Sequence, residues 1–114
     1  MNIAVVGNRK GWTYEDVEKG LDNTLVTKED TLISGGAEGV DAFAQEYAKR
    51  HGNRILIIYP DLSKPSPDCY YKRNGKIAEE CDAIIVFNKD NKKSGSFNTM
   101  DQAKRLNKNI ILIT

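Results

Sequence analysis

Three short stretches of the chain carry the residue types that handle a phosphate. They are Gly7-Asn8-Arg9-Lys10-Gly11, Ser34-Gly35-Gly36-Ala37-Glu38-Gly39-Val40-Asp41 and Ser94-Gly95-Ser96-Phe97-Asn98. Each follows an aliphatic run and precedes a segment of helical spacing, after a short gap in the first case. A glycine turn between strand and helix lets the backbone approach an anion, and the helix's free N–H groups and positive dipole end then face it. Gly35, Gly36 and Gly39, with Ser34 and Ala37 in the same turn, are the candidate cradle; the plain alternative is a tight turn without a ligand. A Cβ at Gly36 would meet the anion, so Gly36→Val is expected to abolish binding. Asp41, in the first turn of the next helix, either caps that helix or accepts from a ribose hydroxyl. Arg9 and Lys10 either reach a phosphate as charged donors or form a solvated turn. Gly7 and Asn8 open the first turn. Gly95, Ser96, Phe97 and Asn98 make the third, where the Ser96 hydroxyl can cap a helix or donate to a phosphate.

Arg73 and Asn74 follow the longest irregular piece, Tyr59 to Tyr70, which holds all three prolines. Such a loop is usually functional or mobile, and it could act as a lid over a site that uses Arg73. The bland reading of Arg73 is a surface arginine at a helix start, where a cation gains nothing from the dipole. Asn74 could read a base edge or hold the loop. Trp12, Tyr14, Tyr59, Tyr70 and Tyr71 either stack a base or simply pack. His51, the only histidine, reads as a C-terminal helix cation or a surface residue, which leaves no Ser/His/Asp or Cys/His arrangement near the site. Cys69 and Cys81 show no metal-ligand spacing and read as two reduced thiols. No metal and no cofactor are expected.

With 114 residues the chain reads as one domain, 1–114, with room for a real core and little else. Lys and Arg number 17 against 16 Asp and Glu, so a protein that mainly coats nucleic acid is disfavoured, although a local basic patch is compatible. No apolar run is long enough to span a membrane and no secretory signal is read at the start, so a cytoplasmic location is expected. A domain this small can leave a helix face partly apolar, and a homo-oligomer is expected.

The elements that must position these residues follow from the apolar runs. Ile3–Val6, Thr31–Ile33, Arg54–Ile58, Ala83–Phe87 and Ile110–Ile113 are short, β-branched and not alternating, as in parallel strands covered on both faces. Thr13-Tyr14-Glu15-Asp16 looks like a capping box, with Val17 and Leu21 behind it. Val40, Phe43, Ala44, Tyr47 and Ala48 make a one-sided helical face. Lys72 to Cys81 and Ser96 to Leu106 are read as two further helices. The resulting pattern predicts an α/β fold: a three-layer doubly wound parallel five-stranded sheet of order 3-2-1-4-5. The glycine turns then gather at the carboxyl ends of the strands.

Ile33 to Asp41, with Ala44 and Ala48 after it, resembles the signature of the SMF/DprA–LOG (SLOG) superfamily of Rossmann-like domains, as does Gly7-Asn8-Arg9. Arg73-Asn74, Asp82 to Phe87 and Ser94-Gly95-Ser96 with Ala103 resemble its small single-domain YspA-like branch. The resemblance runs from about residue 2 to residue 113 and implies a nucleotide-type pocket. Relatives divide in activity. LOG-type members cleave the N-glycosidic bond of a modified adenosine monophosphate, DprA binds single-stranded DNA and a recombinase, and others carry a molybdenum cofactor. Some in bacterial or phage conflict systems are read as sensors of nucleotide signals. The resemblance places Arg73 on the LOG active-site arginine, making it the candidate catalytic residue, and Ser96 on the threonine of the glycine–threonine turn. The catalytic glutamate that LOG enzymes carry shortly after that turn has no counterpart: Asn98 and Thr99 stand there. Cleaving an N-glycosidic bond builds positive charge on the ribose, which an amide and a hydroxyl do not offset. The favoured reading is therefore a protein that binds a nucleotide or nucleotide-derived small molecule as sensor or sequestering protein. The alternatives are a LOG-like phosphoribohydrolase and DprA-like binding of single-stranded DNA.

Overall fold

A computed structural model describes residues 1–24, 26–63, 68–89 and 95–114. Ser94 and residues 64–67 of the proline-rich loop lie outside the described residues. The elements run β1 (Asn2–Gly7), α1 (Tyr14–Asp22), β2 (Thr31–Ser34), α2 (Val40–His51), β3 (Arg54–Ile57), α3 (Asp68–Glu80), β4 (Ala83–Phe87), α4 (Gly95–Arg105) and β5 (Asn109–Ile113). All strand pairs are parallel and the order is β3-β2-β1-β4-β5, as the element pattern predicts. The order reverses direction at β1, which opens a crevice between the ends of β1 and β4.

Successive side chains of a strand point to opposite faces, so one sheet feeds two cores. Ile3, Val5, Leu32, Ile85 and Phe87 pack under α1 and α2 with Val17, Leu21, Val40 and Tyr47. Ala4, Val6, Ile33, Ile84 and Val86 pack under α3 and α4 with Ile77, Ala78 and Ala103. Each fully buried Leu or Ile here contributes about 1.5–3 kcal/mol. Thr13 caps α1 in a complete capping box with Asp16, a motif whose loss costs about 1 kcal/mol.

Two expectations change. The outer strands are not covered on both faces: Leu56 of β3 is 40% exposed and Leu112 of β5 is 43% exposed. Two helices per face centre on β2, β1 and β4 and cover the edge strands β3 and β5 only in part. Helix α3 also begins earlier than read, at Asp68, so Cys69 and Tyr70 are helical and not part of an irregular loop. Asp68 suits that first turn because an acidic group is favoured at a helix N-terminus. Arg73 consequently stands in the second turn of α3, not at its start.

Candidate functional site

The first turn is stitched to its neighbours through Asn8. Its N–H donates to Phe87 O at 3.1 Å, and its O accepts from Val40 N–H at 3.2 Å. Its Oδ1 accepts from Trp12 Nε1 and from Lys89 N, both at 3.1 Å. The end of β1 is thereby tied to the end of β4 and to the start of α2, and Arg9 is carried out beyond them. Trp12 packs edge-on against Phe87 with ring centroids 5.2 Å apart and lies under Lys89 Nζ, so its ring is engaged in packing.

The second turn leaves β2 through Ser34, whose buried Oγ donates to Asp41 O at 3.0 Å and accepts from Gly36 N–H at 3.2 Å. Gly36 has φ +73°, a left-handed backbone that only glycine adopts without strain. A Cβ there would lie 2.7 Å from the Tyr59 ring and 3.0 Å from Ile57, so Gly36 faces these side chains and not the cavity described below. Asp41 is buried, and its Oδ2 accepts from Ala37 N–H at 3.3 Å. Burial raises the Asp41 carboxyl above its ordinary value; backbone hydrogen bonds from Ala37 and Gly35 and the charges of Arg73 and Arg9 pull in the other direction.

Arg73 enters from α3. Its Nη1 donates to Gly35 O, its Nε to Asn74 Oδ1 at 3.0 Å, and its Cζ lies 5.7 Å from the Tyr70 ring centroid. Partial burial lowers its affinity for its proton, and Asp41 opposes that shift. Asn74 is buried and donates to Asn98 Oδ1 at 3.1 Å and to Gly95 O at 3.4 Å. Gln102 Nε2 donates to the same Asn98 oxygen at 3.0 Å. A row of amides thus fixes α3 against α4 and holds Arg73 in place. At the start of α4, Thr99 Oγ1 donates to Gly95 O at 3.2 Å and Asn88 Nδ2 donates to Ser96 Oγ at 3.3 Å.

These groups surround a cavity of about 340 Å³ at the carboxyl ends of the strands. Gly7, Asn8, Arg9, Ala37, Asp41, Arg73, Asn74, Gly95 and Ser96 all line it. Ser34, Gly35, Gly36, Gly39, Phe97 and Asn98 are not in that lining. Ser34 and Gly35 sit behind it as hydrogen-bond partners of Asp41 and Arg73, and Asn98 spends its oxygen on Asn74 and Gln102. Three lining residues carry a different expectation from the sequence, Val6 and Ile77 as core and Thr99 as the place of a missing carboxylate, while Tyr70, a candidate for stacking a base, also lines the cavity. Ile77 lies one helical turn beyond Arg73, the spacing that could have placed it on the same face.

His51 stands in the last turn of α2, partly exposed, as the sequence suggests. Its ring stacks on Tyr47 at 3.9 Å, and its Nε2 lies 3.0 Å from Glu18 Oε2, joining α2 to α1.

No family model matches the chain, and no curated protein matches it in sequence. Solved structures do match. DNA processing protein A (DprA) from Streptococcus pneumoniae is 24% identical with a TM-score of 0.81, over 99% of this chain and 50% of that one. DprA from Helicobacter pylori, whose structure is described for its single-stranded DNA binding mode, is 19% identical with a TM-score of 0.75, over 98% of this chain and 64% of that one. The protein TM1055 is 20% identical with a TM-score of 0.73, over 96% of this chain and 71% of that one. The chain thus spans only half the length of the first DprA and under two thirds of the second. The chain has the α/β Rossmann-like fold that both DprA structures and TM1055 share.

Proposed function

We propose that the cavity binds a nucleotide or nucleotide-derived small molecule, as a sensor or sequestering protein. The observation that carries this is the convergence of Arg9 and Arg73, from separate elements, on one cavity that also takes in the start of α4 at Gly95 and Ser96. Arginine presents paired N–H groups that suit phosphate oxygens, and a helix N-terminus adds partial positive charge. Tyr70 at the rim offers a ring face for a base. A volume of about 340 Å³ stands at the small end of ligand pockets. Calorimetry against a panel of nucleoside monophosphates, ADP-ribose and cyclic nucleotides tests the reading. Affinity in the micromolar range or tighter for one member supports it; no binding below millimolar by the folded protein removes it.

The N-glycosidic hydrolase reading is weaker because Thr99, with its hydroxyl turned to Gly95 O, faces the cavity where a catalytic carboxylate is wanted. Asp41 is the one carboxylate in the lining among the described residues. Release of free base from a nucleoside monophosphate, lost in Arg73→Ala, would establish turnover. Binding of single-stranded DNA is favoured by the exposed rings of Tyr59, Tyr70 and Tyr71 beside the site, since bases stack on such rings. A salt-dependent mobility shift would support it. Association into a homo-oligomer is supported by the open apolar edge at Ile55 and Leu56, and sedimentation as a monomer at micromolar concentration would remove it.

A further inference from the structure

The second glycine turn reads from its sequence as a phosphate cradle, yet the amides of Gly36, Ala37 and Val40 are already engaged. Gly36 N–H donates to Ser34 Oγ and Val40 N–H to Asn8 O, each at 3.2 Å. Ala37 N–H donates to Asp41 Oδ2 at 3.3 Å. Asp41 is 6% exposed and lines the cavity. A Cβ on Gly35 would come within 2.8 Å of Asp41 Oδ2 and 2.7 Å of Arg73 Nη1, so carboxylate and guanidinium close over the same backbone unit. Successive N–H groups in such a turn form a concavity that holds one anion. Here the chain supplies that anion itself.

We propose that Asp41 is the resident anion of this turn and thereby sets which ligand the cavity takes. The ligand's own phosphate goes to Arg9, Arg73 and the start of α4, and the ligand meets Asp41 through a hydroxyl or amine that donates to it. A second phosphate brought to the turn would stand against the carboxylate and be repelled. The chemistry that fits is one phosphoryl group on a hydroxyl-bearing sugar, and a diphosphate is disfavoured. This rests on the nucleotide reading for its ligand, while the filling of the turn stands or falls separately.

Inorganic phosphate titrated into isotope-labelled protein, followed by backbone amide shifts, tests it. In the wild type, phosphate is expected to move the Gly95 and Ser96 amides and to leave Gly35 and Ala37 in place. In Asp41→Ala, which empties the turn, phosphate is expected to move Gly35 and Ala37 and to bind about tenfold more tightly or better. Phosphate moving Gly35 and Ala37 in the wild type would overturn the proposal and leave the nucleotide reading intact. A folded Asp41→Ala with no phosphate at the turn would also overturn it. A wild type blind to phosphate and nucleotides, beside an Asp41→Ala that gains the turn site, would uphold the resident anion and remove the nucleotide reading. Should Asp41→Ala fail to fold, Asp41→Asn keeps an acceptor for Ala37 N–H and loses only the charge. Inorganic diphosphate is then expected to bind it about tenfold more tightly than the wild type, and equal or weaker binding would overturn the proposal.

Discussion

Arg73 is held by its own neighbour in the chain, its Nε donating to Asn74 Oδ1 at 3.0 Å. Adjacent residues on a helix point about 100° apart, so they meet only when one side chain curls back over the other. Asn74 can do this because its amide nitrogen is fixed on the far side by Asn98 Oδ1. The guanidinium therefore reaches the cavity already oriented, with Nη1 on Gly35 O. Pre-orientation reduces the entropy a ligand must overcome when it fixes an arginine.

Two substitutions separate charge from orientation. Arg73→Ala removes the cation and should weaken nucleotide binding by at least about tenfold. Asn74→Leu leaves the cation but releases it, and removes the hydrogen bonds to Asn98 and Gly95; a stability loss of about 0.5–1.5 kcal/mol is expected together with weaker binding. Calorimetry and urea denaturation measure the two effects. Full affinity in a folded Asn74→Leu would show that Arg73 needs no such support.

Gly36 tests a different matter. Its φ of +73° and the nearness of Tyr59 make Gly36→Ala costly, by roughly 1–3 kcal/mol of backbone strain and displaced ring. Since Gly36 is outside the cavity lining, the fraction that remains folded should bind ligand with little loss. A variant of native stability would contradict the steric account.

Much of this was legible in the sequence. Five aliphatic runs and the glycine turns after three of them suffice for the sheet order, and Thr13 with Asp16 announces the start of α1. The open edges at Leu56 and Leu112 were not legible, because an edge strand here is as apolar as an inner one. The sequence offers Asp41 as a helix cap or a ribose acceptor, but the return of its carboxylate to the turn was not legible. Glycines show where a backbone can bend, but which amides stay free depends on side chains that return from the next helix, and Asp41 returns to Ala37. Arg73 was misplaced at a helix start because the run before it is rich in proline and polar residues, which conceals a helix beginning at Asp68.

The pH dependence of the α1–α2 contact follows from Glu18. The hydrogen bond from His51, and then that from Tyr14, holds its carboxyl below the ordinary value. A depressed carboxyl contributes stability above its unfolded pKa and loses it as pH falls through the folded one. Glu18→Gln should therefore lower the thermal midpoint at pH 7, with the gap to wild type closing in acid. A constant gap from pH 7 to pH 3 would show that the charge plays no part.

Asp41 has the opposite sign. Burial raises its carboxyl, so the folded state holds that proton more firmly than the unfolded chain does. Such a group contributes stability below its unfolded pKa and loses it as pH rises through the folded one; at neutral pH the ionised carboxylate is a net cost. Asp41→Asn keeps an acceptor for Ala37 N–H and removes the charge. It should raise stability at pH 7 by roughly 0.5–2 kcal/mol, with the advantage disappearing near and below about pH 4. A fold that gains from losing a residue does not retain it for packing, so the same variant should lose affinity for any ligand that donates a hydroxyl to position 41. Thermal melts across pH, paired with ligand titrations, read both quantities in one set of samples. A less stable Asp41→Asn at pH 7 would mean that the carboxylate holds the turn together, and the argument for a ligand-directed charge would then fail.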